Sequence, residues 1–185
     1  MIPENAVLIL IDVQDGFDLP VWGNRNNHDA ETNIAKLLES WRDSGRPVMY
    51  VQHHSVLPES TLHPSHPGVS IKESLKPQAD EPIFTKSVNS AFIGTNLEEQ
   101  LRENGYETLV VTGFTTNHCV STTVRMAGNL GFKTYVVSDG TASFDTVDHA
   151  GNNYSADTIN EISLASLHNE FATIINTENL LSELK

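Results

Sequence analysis

Three residues whose side chains could share one reaction stand at the ends of apolar segments far apart in the chain. Asp12 ends one segment, Lys86 ends a second, and Cys119, the only cysteine, follows a third. A carboxylate can act as a base, an ammonium can stabilise a neighbouring anion, and a thiol can act as a nucleophile. Because ligands of open parallel α/β sheets bind beyond the carboxyl ends of the strands, the pattern predicts one shared site. Taken singly, Asp12 can also be a structural cap, and Lys86 a solvated loop residue.

Cys119 is interpreted as a nucleophile because of the turn that precedes it. A lone cysteine is more often buried and inert, but here a small polar turn, 113–118, leads into a predicted helix. Thr115, Thr116 or Asn117 can cap that helix, which places Cys119 in its first turn. Free N–H groups and the positive end of the helix dipole favour a thiolate there, and the same groups can hold an oxyanion.

The elements that must position these residues follow from the hydrophobic pattern. Short apolar runs alternate with helical patterns, which predicts an α/β fold with a parallel sheet. Strands are predicted at residues 6–11, 47–51, 82–85, 108–112, 134–138 and 172–175. Helices are predicted at residues 31–44, 97–104, 117–129, 156–171 and 178–184.

Two stretches of the chain lack this alternation. Residues 54–81 contain four prolines and little periodicity, and a loop of that length in a compact domain is usually either functional or disordered. Residues 16–29 carry Phe17 and Trp22. These aromatic side chains are candidates for lining a pocket, although covering the edge of the core is an equal alternative for Trp22.

Composition limits the class of protein. The chain has 185 residues, which fits a single domain spanning 1–185. Its net charge of −13 disfavours nucleic acid and anionic membranes as partners. The sequence has neither a membrane-length apolar run nor a basic, signal-like start, and its lone cysteine excludes an internal disulfide. A reducing, cytoplasmic location is therefore expected.

Several motifs together resemble the isochorismatase-like cysteine hydrolases, of the isochorismatase/nicotinamidase superfamily. The resemblance lies in residues 10–17, 85–92 and 111–120, which contain Asp12, Lys86 and Cys119 respectively. It continues through residues 138–140 and 164–172, so it covers nearly the whole chain.

The resemblance implies a three-layer α/β/α sandwich around a six-stranded parallel sheet of order 3-2-1-4-5-6. It implies a catalytic triad of Asp12, Lys86 and Cys119, and a non-proline cis peptide between Phe114 and Thr115. It also implies that the backbone N–H groups of Thr115 and Cys119 form the oxyanion hole. A homodimer or homotetramer is implied as well, for which Val120, Val124 and Met126 of the third predicted helix give weak support.

The resemblance leaves metal binding as a separate question. Nicotinamidases of this family carry a metal on an Asp-x-His pair after the second strand, and this chain has no aspartate there. Four histidines lie nearby, namely His53, His54, His63 and His66. Their spacing matches no zinc motif, so we expect no metal or other cofactor and a polar loop with His53 or His54 facing the pocket.

The expected reaction is hydrolysis of a small, non-peptide amide through an acyl-enzyme on Cys119. Isochorismatase-type cleavage of a vinyl ether is an alternative, which the cysteine disfavours. A non-catalytic reactive thiol or ligand-binding protein on the same fold is another, although a nucleotide-binding glycine motif is absent. The residues expected to bind a small-molecule substrate are Phe17, Trp22, His54, Phe92, Asn117 and His118.

Overall fold

The first apolar run forms β1, Val7–Ile11, a fully buried strand at the centre of a six-stranded sheet. A computed structural model describes residues 1–184. The other strands of the sheet are β2 (Val48–His53), β3 (Ile83–Lys86), β4 (Thr108–Phe114), β5 (Lys133–Ala142) and β8 (Thr173–Ile175). All neighbours pair in parallel in the order β3-β2-β1-β4-β5-β8. The predicted order is confirmed, since β8 is the sixth strand of this sheet.

Helices cover both faces of the sheet. They are α1 (Ala30–Asp43), α2 (Leu97–Glu103), α3 (Ser121–Asn129), α4 (Ala156–Leu167) and α5 (Thr177–Ser182). Alternate residues of β1 enter two separate cores, because successive side chains of a strand point to opposite faces. Leu8 and Leu10 pack in the core that includes α1 and α5, and Val7 and Ile9 in the core that includes α2, α3 and α4. The predicted three-layer sandwich is therefore confirmed.

The structure differs from the predicted elements in several places. The helix predicted at 156–171 ends at Leu167, where the chain turns through Asn169 at a φ of 66°. A short hairpin, β6 (Thr146–Val147) with β7 (Asn153–Tyr154), was not predicted. Each of its strands has two residues, too few for an alternating pattern to be recognised.

The interface suggested for α3 is not supported by the positions of its apolar residues. Val120, which directly precedes α3, and Val124 within it are fully buried in the core with α2 and α4, and Met126 is half-buried. The two valines therefore stabilise this chain's own fold and cannot serve a second copy. Among the described residues, no helix has the length and apolarity needed to cross a membrane.

The long irregular stretch is ordered and packs against the strand ends. The Gln14 side chain donates to the carbonyls of His53 (3.0 Å) and Val69 (2.7 Å). Gln52 donates to the same Val69 carbonyl (2.8 Å), and Lys72 N–H donates to the Val13 carbonyl (2.9 Å). These bonds join residues 54–81 to the ends of β1 and β2.

Candidate active site

A close approach of β4 to β1 brings the thiol-bearing turn to Asp12. Gly113 has a φ of +115°, and a Cβ atom there would lie 1.9 Å from the Ile11 carbonyl oxygen. A side chain at this position would therefore force the two strands apart. Asp12 follows directly after β1, with a φ of 51°, and its N–H donates to the Val51 carbonyl (2.9 Å). The backbone of two neighbouring strands thus fixes the position of the carboxylate.

The three predicted catalytic side chains are in contact. Lys86 Nζ donates to Asp12 Oδ2 at 2.7 Å and to Cys119 Sγ at 3.2 Å. The side chains of Lys86 and Asp12 are completely buried, and Cys119 is partly exposed. Asp12 Oδ1 is buried and has no hydrogen-bond partner in the part of the chain that the structure describes. One carboxylate oxygen therefore holds the ammonium, and the other is free to accept a proton.

Burial sets the protonation of this cluster. Loss of hydration raises the pKa of Asp12, and the Lys86 ammonium opposes that change. Burial and the Asp12 charge raise the pKa of Cys119 to about 12, although Lys86 favours the thiolate. Desolvation thus opposes the thiolate that the helix terminus and Lys86 favour. The Cys119 thiol is therefore neutral at neutral pH, and it lies beside the buried Lys86–Asp12 contact.

The turn that carries Cys119 is a wide helical turn rather than the start of a regular α-helix. Residues Thr116–Val120 form one π-helical turn, and Thr115, which precedes it, makes no side-chain cap. The peptide bond between Phe114 and Thr115 is cis. Thr116 Oγ1 donates to Asn160 Oδ1 of α4 at 2.6 Å, and both residues are buried. This bond fixes the turn to α4, and the Thr115 N–H has no acceptor among residues 1–184.

His53 belongs to the cluster, whereas the sequence predicted only that either His53 or His54 faces the pocket. Lys86 Nζ lies 3.0 Å from His53 Nδ1. Burial first, and then the charge of Lys86, lower the pKa of His53 to about 4, so the ring is neutral at neutral pH. The sequence pattern ended the second strand at Val51, whereas β2 continues to His53, which pairs with Lys86 of β3. The strand pairing that brings His53 to Lys86 cannot be recognised from the apolar pattern of the sequence alone.

The expected substrate-binding residues occupy four different environments, and three of them line one cavity. Trp22, Asn117 and His118 line a cavity of about 150 Å³ together with Thr115 and Phe144. The cavity therefore lies beside the turn that carries Cys119.

The remaining pocket candidates lie elsewhere. Phe17 is buried under this cavity, with ring centroids 4.8 Å from Trp22 and 5.8 Å from Phe114. Phe92 is half-buried and stacks on Phe132 in the core at a centroid distance of 5.9 Å. His54 is half-buried, and its N–H donates to the Lys86 carbonyl at 2.8 Å. The structure thus brings Trp22, but neither phenylalanine, to the cavity surface.

The four neighbouring histidines do not converge on one point. His63 Nδ1 bonds Ser65, and His66 Nδ1 accepts the Gly68 N–H, so both contact their own loop. Asp12, His53 and Cys119 do present possible metal-ligand atoms within 4.8 Å of one another. The Lys86 ammonium, however, is bonded to all three residues and fills the cation position between them.

The comparisons with known proteins agree with this fold. An Isochorismatase domain model matches residues 6–179. The isochorismatase family protein YrdC of Bacillus subtilis is 55% identical over 180 residues, which cover 97% of this chain and 96% of that protein. The solved structure of an isochorismatase-family hydrolase from Chromobacterium violaceum superposes with a TM-score of 0.96 at 42% identity, covering 100% of this chain and 95% of that one.

Two more distant relatives have named activities. Nicotinamidase 3 of Arabidopsis thaliana is 28% identical over 182 residues, which cover 97% of this chain and 78% of that protein. N-carbamoylsarcosine amidase of Arthrobacter is 32% identical over 118 residues, which cover 55% and 45% of the two chains.

The parallel sheet and the relatives in sequence and structure define a hydrolase. The chain belongs to the isochorismatase family.

Proposed function

We propose that this protein hydrolyses a small, non-peptide amide through a covalent acyl-enzyme on Cys119. The observation that carries the proposal is the buried contact of Lys86 with both Asp12 and Cys119. A base, a cation and a nucleophile in direct contact are what acyl transfer to a thiol requires. The names of two relatives, a nicotinamidase and an N-carbamoylsarcosine amidase, add support for carbon–nitrogen bond cleavage.

The first half of the reaction forms the acyl-enzyme. Asp12 takes the proton of Cys119, and the thiolate, paired with Lys86, attacks the carbonyl carbon of the amide. The resulting oxyanion accepts hydrogen bonds from the backbone N–H groups of Thr115 and Cys119. Protonated Asp12 then gives its proton to the amide nitrogen. The carbon–nitrogen bond breaks, and ammonia or an amine leaves.

The second half regenerates the enzyme. Asp12, again ionised, removes a proton from a water molecule, which attacks the thioester carbonyl. The carbon–sulfur bond breaks, and the acid product leaves. The thiolate recovers its proton from Asp12, with Lys86 as its counter-ion in the interval. The cavity beside Thr115 receives the acyl group, and its volume of about 150 Å³ favours a small substrate.

The test is intact-protein mass spectrometry after mixing with a panel of amides, together with an assay for released ammonia. The panel contains nicotinamide, N-carbamoylsarcosine and short aliphatic carboxamides. We expect an acyl adduct on the single cysteine, and no adduct or turnover for Cys119→Ala. Lys76→Met, at an exposed lysine paired with Glu73, serves as the control and retains full activity. Turnover by Cys119→Ala above about a tenth of the wild-type rate would contradict a covalent mechanism.

A further inference from the structure

Lys86 has one hydrogen-bond donor more than Asp12 and Cys119 use. An ammonium carries three protons and no lone pair, so it can donate three hydrogen bonds and accept none. Asp12 Oδ2 and Cys119 Sγ accept two of them. The third direction is occupied by His53 Nδ1 at 3.0 Å. Since the Lys86 side chain has no exposed surface, water does not replace this acceptor.

The side chain of Gln14 holds the backbone of His53 with two hydrogen bonds. His53 N–H donates to Gln14 Oε1 (2.9 Å), and Gln14 Nε2 donates back to the His53 carbonyl (3.0 Å). Gln14 is fully buried two residues after Asp12, so it joins the end of β2 to the end of β1. His53 is also the register partner of Lys86 in the β2–β3 pair, which places both side chains on the same face.

We propose that His53 is a positioning residue, whose Nδ1 accepts the third Lys86 proton and so keeps the ammonium aimed between Asp12 and Cys119. This role requires the neutral ring with its proton on Nε2, since an ammonium cannot accept a hydrogen bond. Without the acceptor, Lys86 would have a buried donor unsatisfied or would turn away from one of its two other partners. His53 acts through Lys86 and does not take part in bond making. The inference rests on the proposed Asp12–Lys86–Cys119 mechanism.

The test measures the rate at which iodoacetamide alkylates Cys119, as a function of pH, and therefore needs no amide substrate. His53→Leu keeps bulk and removes the acceptor, whereas His53→Asn keeps an acceptor oxygen at the position of Nδ1. His149→Leu, at an exposed histidine of the β6–β7 hairpin, is the matched control.

We expect His53→Leu to slow alkylation at pH 7 by about tenfold, the size expected when a buried donor loses its partner. His53→Asn should remain within about threefold of wild type, and His149→Leu should equal wild type. A wild-type profile for His53→Leu would overturn the proposal. Equal losses in His53→Leu and His53→Asn would also overturn it, because the acceptor would then be irrelevant.

Nitrogen-15 NMR of the histidine rings tests the same contact in the unmodified protein. The His53 signals, assigned by their disappearance in His53→Asn, should show the Nε2–H tautomer at pH 7. A proton on Nδ1, or a charged ring, would refute the proposal even if His53→Leu fails to fold.

If no amide is hydrolysed by the wild type, the proposed function fails, while the alkylation and NMR results still decide the role of His53.

Discussion

Replacing Lys86 with methionine removes the cation of the buried cluster and keeps most of its volume. The ammonium lies 2.7 Å from Asp12 Oδ2 and 3.2 Å from Cys119 Sγ, and its side chain is fully buried. Burial already raises the pKa of Asp12, and Lys86 is the group that opposes this rise. We therefore expect Asp12 to become protonated at neutral pH in Lys86→Met, which leaves Cys119 without a base.

The expected effect of Lys86→Met on Cys119 is calculated from the distance of 3.2 Å between Lys86 Nζ and Cys119 Sγ. At an effective dielectric constant of about 20, unit charges separated by 3.2 Å attract by about 5 kcal/mol. If relaxation of the site compensates for half of this lost attraction, the fraction of Cys119 present as thiolate still falls about 100-fold in Lys86→Met. Loss of the base adds to this penalty, so we expect amide turnover to fall by at least about 1,000-fold.

The assay is alkylation of Cys119 by iodoacetamide across a range of pH, followed by intact mass. Because the chain has one cysteine, every label reports on this site. Lys86→Met should alkylate more slowly at pH 7, with the pH profile displaced upward, and Lys86→Arg should recover part of the rate. Lys76→Met, with a side chain 63% exposed, should match wild type. Superimposable profiles for Lys86→Met and wild type would refute the triad.

Two predictions concern the structure that supports the site. Gly113→Ala should lower the free energy of unfolding by more than about 3 kcal/mol, because the new Cβ would meet the Ile11 carbonyl at 1.9 Å; urea unfolding that matches wild type would contradict this close approach. Burial opposes ionisation of Glu31, but its bonds to Arg25 hold the pKa of that carboxyl below the ordinary 4.5. Ionised Glu31 therefore stabilises the fold fully at pH values above 4.5, its ordinary pKa. This contribution is lost as the pH falls through the lower pKa that Glu31 has in the folded protein. Glu31→Gln should accordingly be less stable than wild type at pH 7 and lose less stability on acidification; parallel curves of unfolding free energy against pH would count against the ion pair.

The centre of the sheet was predictable from sequence because β1 and β4 are buried on both faces. The run before Asp12 is uniformly apolar, as a parallel strand covered by helices on both sides requires. The strand ends were harder to place. β2 and β4 continue beyond the predicted 47–51 and 108–112 to His53 and Phe114, since hydrogen bonds to neighbouring strands, not apolarity, determine where pairing stops.

The sequence predicted the members of the proposed catalytic cluster but not their pKa values. Position near predicted strand ends made Asp12, Lys86 and Cys119 candidates for one site, and the resemblance to the cysteine hydrolases implied their roles as a triad. The pKa of Cys119 depends on how much water its thiol loses, and no local pattern of residues contains that quantity. Similarly, Phe17 was selected as an aromatic in an irregular loop, although it packs under the cavity against Trp22 and Phe114.

The high pKa of Cys119 is compatible with a role as nucleophile once the cluster is considered as a unit. Burial raises the pKa of both Asp12 and Cys119 because it penalises each additional charge. Transfer of a proton from the thiol to the carboxylate adds no charge, since one anion beside the Lys86 ammonium is exchanged for another. Desolvation therefore opposes release of the thiol proton to water but not its transfer to Asp12. In the proposed mechanism, reactivity of Cys119 depends on that transfer, and on a cation that contacts Cys119 Sγ and Asp12 Oδ2 while Asp12 Oδ1 takes the proton.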